Sequence, residues 1–186
     1  MTRSRHRSRL LGALTGAVLA LACATTQAGR PVLEESADGR GKLQGVELGS
    51  GGSPASLSQG EPYVPLIALC RKTQDGRDEG NFFLATVVLP AESFGFEQLV
   101  ATGPAGVRVY PGHVVHADSR FGIGDRRYTE QLEVPLSDAD VAWLVSAGAT
   151  LELRMEGARL WIKVPRGGPL VEAVKTYHDL YASGAP

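Results

Sequence analysis

Ala149-Thr-Leu-Glu-Leu-Arg-Met-Glu156 alternates without a fault between small or apolar and polar side chains. Successive side chains of a strand point to opposite faces, so Ala149, Leu151, Leu153 and Met155 share one face and Thr150, Glu152, Arg154 and Glu156 the other. That period predicts a half-buried strand, not a helix. Gly157 marks a turn, and Leu160, Ile162 and Val164 repeat the inward set on a second strand. Trp161 then falls outward, between Arg159 and Lys163 and facing Glu152, Arg154 and Glu156. A tryptophan so placed stacks on an arginine, lies under a helix, or anchors a protein interface. Trp161 and Arg154 are therefore the candidate interaction surface.

Helices are predicted on either side of this hairpin. Ser137 is a good N-cap, Asp140 approximates a capping box, Leu136 can staple against Val141, and Gly148 is a stop signal. Pro169 opens a last helix whose Leu170, Val174, Tyr177 and Tyr181 form one stripe. Upstream, Tyr63–Cys70 and Asn81–Leu89 read as strands, the second apolar on both faces and hence central in a sheet. Gly106–Tyr110 alternates, Pro111-Gly112 supplies type II turn residues, and His113–Asp118 continues as strand. A glycine-bearing loop, Ser119–Arg126, leads to a strand from Tyr128 to Val134. The expected fold is α+β and sheet-dominated: an antiparallel β-sandwich-like domain of about six strands, with two short helices in the C-terminal half. The closing order of helix, strand, strand and helix resembles, in layout alone, small exported bacterial sheet proteins of the invasion-associated locus B type. No shared motif accompanies that layout, and it implies nothing further.

The rest of the chain divides into two pieces. Residues 29–62 are rich in Gly, Ser and Pro, as in Gly49-Ser-Gly-Gly-Ser-Pro54, and read as a flexible tether before a globular domain at 63–186. Residues 1–28 read as a secretory signal peptide: Arg3, Arg5, Arg7 and Arg9, then an apolar run from Leu10 to Ala22. That run is shorter than the ~20 residues of a membrane-spanning helix. Two cuts compete. Ala22-Cys23 matches the end of a bacterial lipobox, although Ala20 and Leu21 depart from it; lipidation at Cys23 would make a membrane anchor. A cut after Thr26-Gln27-Ala28 fits the ordinary signal-peptidase rule and frees the domain. The tether, which would lift the domain off a membrane, favours the anchor.

Composition is that of a globular protein, with 43% hydrophobic and 21% charged residues. Loss of residues 1–28 removes four arginines and no acid, leaving 15 basic against 20 acidic residues, a net of −5. An acidic exported domain is a poor nucleic-acid binder. There are two cysteines, and Cys70 ends an apolar run as a small buried hydrophobe, so no disulfide framework is expected.

Chemistry-bearing motifs are few. His113-Val-Val-His116-Ala-Asp118 offers metal-ligand residue types, but strand alternation sends the two histidines to opposite faces and leaves His116 with Asp118 as the candidate pair. Phe121-Gly-Ile-Gly-Asp-Arg126-Arg127 exposes amides and two guanidinium groups that could grip a carboxylate or phosphate, so Phe121, Arg126 and Arg127 are the candidate ligand-binding residues. No nucleophile elbow, Cys-x-x-Cys or phosphate-binding lysine loop is present, and neither a catalytic residue nor a cofactor is assigned. The expectation is a non-enzymatic module, exported to the periplasm or the periplasmic face of a bacterial membrane, that binds another envelope or extracellular protein as adaptor, assembly factor or inhibitor. It would touch the membrane only through Cys23. The alternative is an envelope small-ligand or metal-binding protein, or an enzyme, using residues 113–127.

Overall fold

The computed structural model describes residues 29–35, 39–90, 93, 95–122, 125–157, 161–164 and 168–182, with the backbone alone at 116–122, 125, 126 and 168. The signal-peptide reading, both cleavage sites and Cys23 lie outside the described residues, as does Leu160.

Ten strands form two antiparallel sheets among these residues. They are β1 (Pro31–Glu35), β2 (Gly41–Gly51), β3 (Tyr63–Gln74), β4 (Arg77–Leu89), β5 (Phe96–Gly103), β6 (Gly106–Pro111), β7 (His113–Gly122), β8 (Asp125–Leu136), β9 (Glu152–Gly157) and β10 (Trp161–Lys163). Helix α1 (Asp138–Ala147) precedes β9, and α2 (Gly168–Tyr177) runs on into a π turn at His178–Ala182. The large sheet has the order β1-β2-β3-β4-β8-β7 and the small one β10-β9-β5-β6. This is the sheet-dominated, sandwich-like α+β domain that the alternation implies.

The facing surfaces are built in rows. Val46, Leu69, Phe83 and Val134 stand opposite one another across β2, β3, β4 and β8. Ile162, Met155, Leu99 and Tyr110 do the same across the small sheet. Both rows belong to one hydrophobic core. Leu151, Leu153 and Met155 point into it as their period requires, whereas Ala149 lies exposed in a 3-10 turn at Gly148–Thr150.

Both helices enter the same core. At α1, Ser137 Oγ accepts from the Asp140 amide at 3.2 Å and the Asp140 carboxylate accepts from the Ser137 amide at 3.0 Å, the reciprocal cap that the sequence approximates. The α2 stripe Leu170, Val174 and Tyr177 is buried, and Tyr181 packs against its edge. A polar node ties the helices to the large sheet. Asn81 is 2% exposed; its amide donates to Asp138 Oδ1 at 2.7 Å and its carbonyl accepts from the Tyr177 hydroxyl at 2.7 Å. A buried amide without those partners would cost about 1–3 kcal/mol, so the node fixes where both helices sit. Beside it, Arg71 pairs with Asp78 and donates to the Tyr181 carbonyl.

The largest departure from the sequence reading is at residues 29–62, which are not a tether. β1 and β2 lie within them, followed by a 3-10 turn at Pro54–Gln59. Val46 and Leu48 are buried in the core, each contributing about 1.5–3 kcal/mol by leaving water. Glycine content misled here because Gly45 serves close packing. A Cβ at Gly45 would lie 2.1 Å from the Leu69 carbonyl oxygen and 2.8 Å from Cys70 Sγ, so only glycine lets β2 approach β3 at this point.

Other differences are smaller. β5, the partner of both β6 and β9, lies in a stretch that no alternation singles out. Pro111-Gly112 does not fold β7 back on β6; the two strands belong to different sheets, and Gly112, whose amide donates to the Glu97 carbonyl at 2.7 Å, carries the chain between them. The expected loop Ser119–Arg126 is mostly strand, since β7 and β8 pair as far as Gly122 and Asp125.

The register at β9 makes a direct prediction. Leu153→Asp puts an unpaired carboxylate at a fully buried position and should cost at least about 4 kcal/mol, enough to abolish a cooperative thermal transition. Glu152→Ala loses a half-exposed ion pair with Lys163, 3.3 Å away, and should cost under about 1 kcal/mol. Equal melting temperatures for the two variants would contradict the register.

Candidate functional site

The outer face of the small sheet carries the first candidate surface. Trp161 pairs with Glu156 across β10 and β9, and Lys163 with Arg154. The indole is 57% exposed, with the Arg154 guanidinium 5.6 Å from the ring centroid. Such stacking contributes about 0.5–1 kcal/mol at an exposed site. Charges on this face are mutually compensated: Arg154 pairs with Glu156, Lys163 with Glu152 at 3.3 Å, and Gln98 donates to Glu156 at 2.6 Å. A hollow of about 80 Å³ lies beside the indole, lined by Val100, Thr102, Glu152, Arg154 and Lys163. Val109 stands opposite Val100 and Val107 opposite Thr102, exposed by 54% and 62%.

The second region, 113–127, is a β7–β8 hairpin of the other sheet. The side chains of His116, Asp118, Phe121 and Arg126 lie outside the described residues. Their backbone positions are Phe121 opposite Arg126, Asp118 opposite Thr129 and His116 opposite Gln131. Arg127 is exposed and stands opposite Arg120. Strict alternation put His113 and His116 on opposite faces, but the register shifts between Val114 and His116. This bulge resets the phase, so the histidines occupy positions opposite Glu133 and Gln131, two residues apart on one strand and therefore on one face of the sheet. Among the described residues no group of three or more His, Cys, Asp or Glu side chains is placed to hold a metal ion.

A third feature has no counterpart in the sequence reading. A groove of about 280 Å³ lies on the outer face of the large sheet. All six strands contribute to it: Glu34 and Glu35 from β1, Leu43 from β2, Lys72 from β3, Phe82 and Leu84 from β4, Gln131 and Glu133 from β8, and Val115 from β7. Both edge strands reach it, so the sheet curls around it. A small apolar cluster lies on this face, with Ala68, Cys70 and Leu84 buried and Val32, Leu43 and Leu66 packed against them. The signal for it was present in the two-sided apolarity of Leu66–Cys70 and Phe82–Leu84.

Glu130 is a buried acid that the sequence reading also passed over. It is 1% exposed; one oxygen accepts from the Ser93 hydroxyl and from the Gly95 amide at 3.3 Å, and the other has no hydrogen-bond partner among the described residues. The carboxylate thereby pins the connection that carries the chain from β4 in the large sheet to β5 in the small one.

No protein-family model, curated protein or solved structure matches the chain. Geometry and sequence pattern therefore carry the functional reading.

Cys70 yields a prediction of its own. Burial, reinforced by the carboxylates of Glu34 and Glu133, pushes its thiol up to about 12. The thiolate is the reactive form, so the native protein should leave a chromogenic aromatic disulfide reagent unreacted over hours at pH 8. Denaturant should release one rapid equivalent from Cys70. Rapid labelling of Cys70 in the folded state would contradict its placement beneath the groove.

Proposed function

We propose that the protein is an exported, non-enzymatic binding module of the cell envelope that docks another protein on the outer face of its small sheet. The observation that carries this reading is Trp161: a large indole, 57% exposed, standing over a hollow among charges that already neutralise one another. Tryptophan and arginine dominate the energetics of protein interfaces, and a compensated polar ring around an aromatic anchor is the usual arrangement. The partner would offer an apolar pocket for the indole and polar groups for the rim. Export rests on the N-terminal arginines and the apolar run that follows. β1 and β2 take the place of the tether that would favour an anchor at Cys23, so a free periplasmic form and an anchored form are equally served by this reading. Among the described residues no helix is long and apolar enough to cross a membrane.

One experiment tests both halves. The full precursor is expressed in a Gram-negative host, and its intact mass and envelope partners are determined. The reading expects a mature chain starting at Cys23 with acyl mass or at Gly29 without it, and a captured envelope protein whose affinity falls about thirtyfold, about 2 kcal/mol, in Trp161→Ala. Leu180→Ala, at an exposed position on the π turn after α2, should leave capture unchanged. Retention of Met1 contradicts export, and equal capture by Trp161→Ala contradicts the interface.

A further inference from the structure

The outer face of an antiparallel sheet is normally polar where it meets water. The large sheet departs from that rule: Leu43, Phe82, Leu84 and Val115 lie in the groove, and Val115 is 44% exposed. At about 280 Å³ the groove is near the lower end of small-molecule sites, too compact for a helix and only partly walled by the curled sheet. Its charged residues are Glu34, Glu35 and Glu133 against Lys42 and Lys72. Of the two ammonium groups, that of Lys72 already has carboxylates beside it. Lys42 stands directly opposite Glu35 across β1 and β2. Lys72 lies 3.6 Å from Glu133 and 3.5 Å from Glu79, with its ammonium 5.7 Å from the centroid of the Phe82 ring. An anionic ligand would meet three carboxylates against two ammonium groups, of which that of Lys72 is already paired. A cationic ligand would meet an apolar floor and a net-negative rim, and Lys72 over Phe82 is an internal example of a positive charge held in that setting.

We propose that this groove binds a compact cationic amphiphile. Its apolar body would rest on Leu43, Phe82, Leu84 and Val115, and its positive group would lie among Glu34, Glu35 and Glu133. The site belongs to the large sheet and is independent of the Trp161 face, so either stands if the other fails.

The test is calorimetric titration of the full chain, below the micellar range, with decyltrimethylammonium, decyl sulfate and tetramethylammonium. Saturable binding of decyltrimethylammonium is expected, at least about tenfold tighter than either of the others. The double variant Glu34→Lys, Glu35→Lys should weaken it about three- to tenfold, in line with the modest worth of exposed charges. Val115→Lys, which sets a cation in the groove, should abolish it, and Trp161→Ala should leave it unchanged. All the substituted positions are exposed, so the variants should melt with the parent protein. Absence of saturable binding, equal binding of the two detergents, or indifference to both groove variants would overturn the proposal.

Discussion

β3 and β4 have apolar side chains on both faces, and the rest of the molecule follows from the need to cover both. On one side Ile67, Leu69, Phe83, Ala85 and Val87 meet the small sheet and the helices. On the other, no second sheet of the described residues packs on Ala68, Cys70 and Leu84, yet they are buried. Their cover comes from the large sheet itself, as β1 and β2 bring Val32 and Leu43 over them. The approach depends on Gly45, because a Cβ there would collide with the Leu69 carbonyl and the Cys70 sulfur. The N-terminal strands are therefore part of the fold for the same reason that the sheet curls.

That curvature links architecture to both candidate surfaces. A flat six-stranded sheet would present a plain outer face, whereas the curled one gathers residues from both edges around the hollow above Phe82 and Leu84. The small sheet has no such demand on its outer side. Its outward positions are free to carry Trp161, the compensated glutamates and the exposed valines of β6. The helices are held apart from both surfaces by the Asn81 node, which commits Asp138 and Tyr177 to the inner side of β4. Burial raises the Tyr177 hydroxyl above its ordinary range, so it stays a neutral donor to Asn81.

What the sequence made legible was whatever depends on contrast between faces. Leu151, Leu153 and Met155 alternate with charged residues, so strand, phase and the outward position of Trp161 could all be read. The Ser137 cap and the Leu170–Tyr177 stripe are local signals of the same kind. β2 was hidden because Gly45 and Gly49 look like flexibility, although Val46 and Leu48 already show a strand period. β5 was hidden because Leu99, Val100 and Ala101 run together without alternation. The bulge at Val115 could not be read at all, since one extra residue changes the face of everything beyond it, and that shift gives His113 and His116 their shared face. The groove escaped for a related reason: its residues come from six strands, and only the curl brings Glu34 and Val115 to one hollow.

The fold depends on β2 being a packed strand that closes the outer face of β3. Hydrogen–deuterium exchange of the intact protein, resolved by residue, reads this directly. The strand pairing predicts that ladder amides in the 42–48 segment exchange as slowly as those in the 66–70 segment, because the two segments share one ladder. Exchange of the 42–48 amides at the rate of an unstructured chain, with 66–70 still protected, would contradict it.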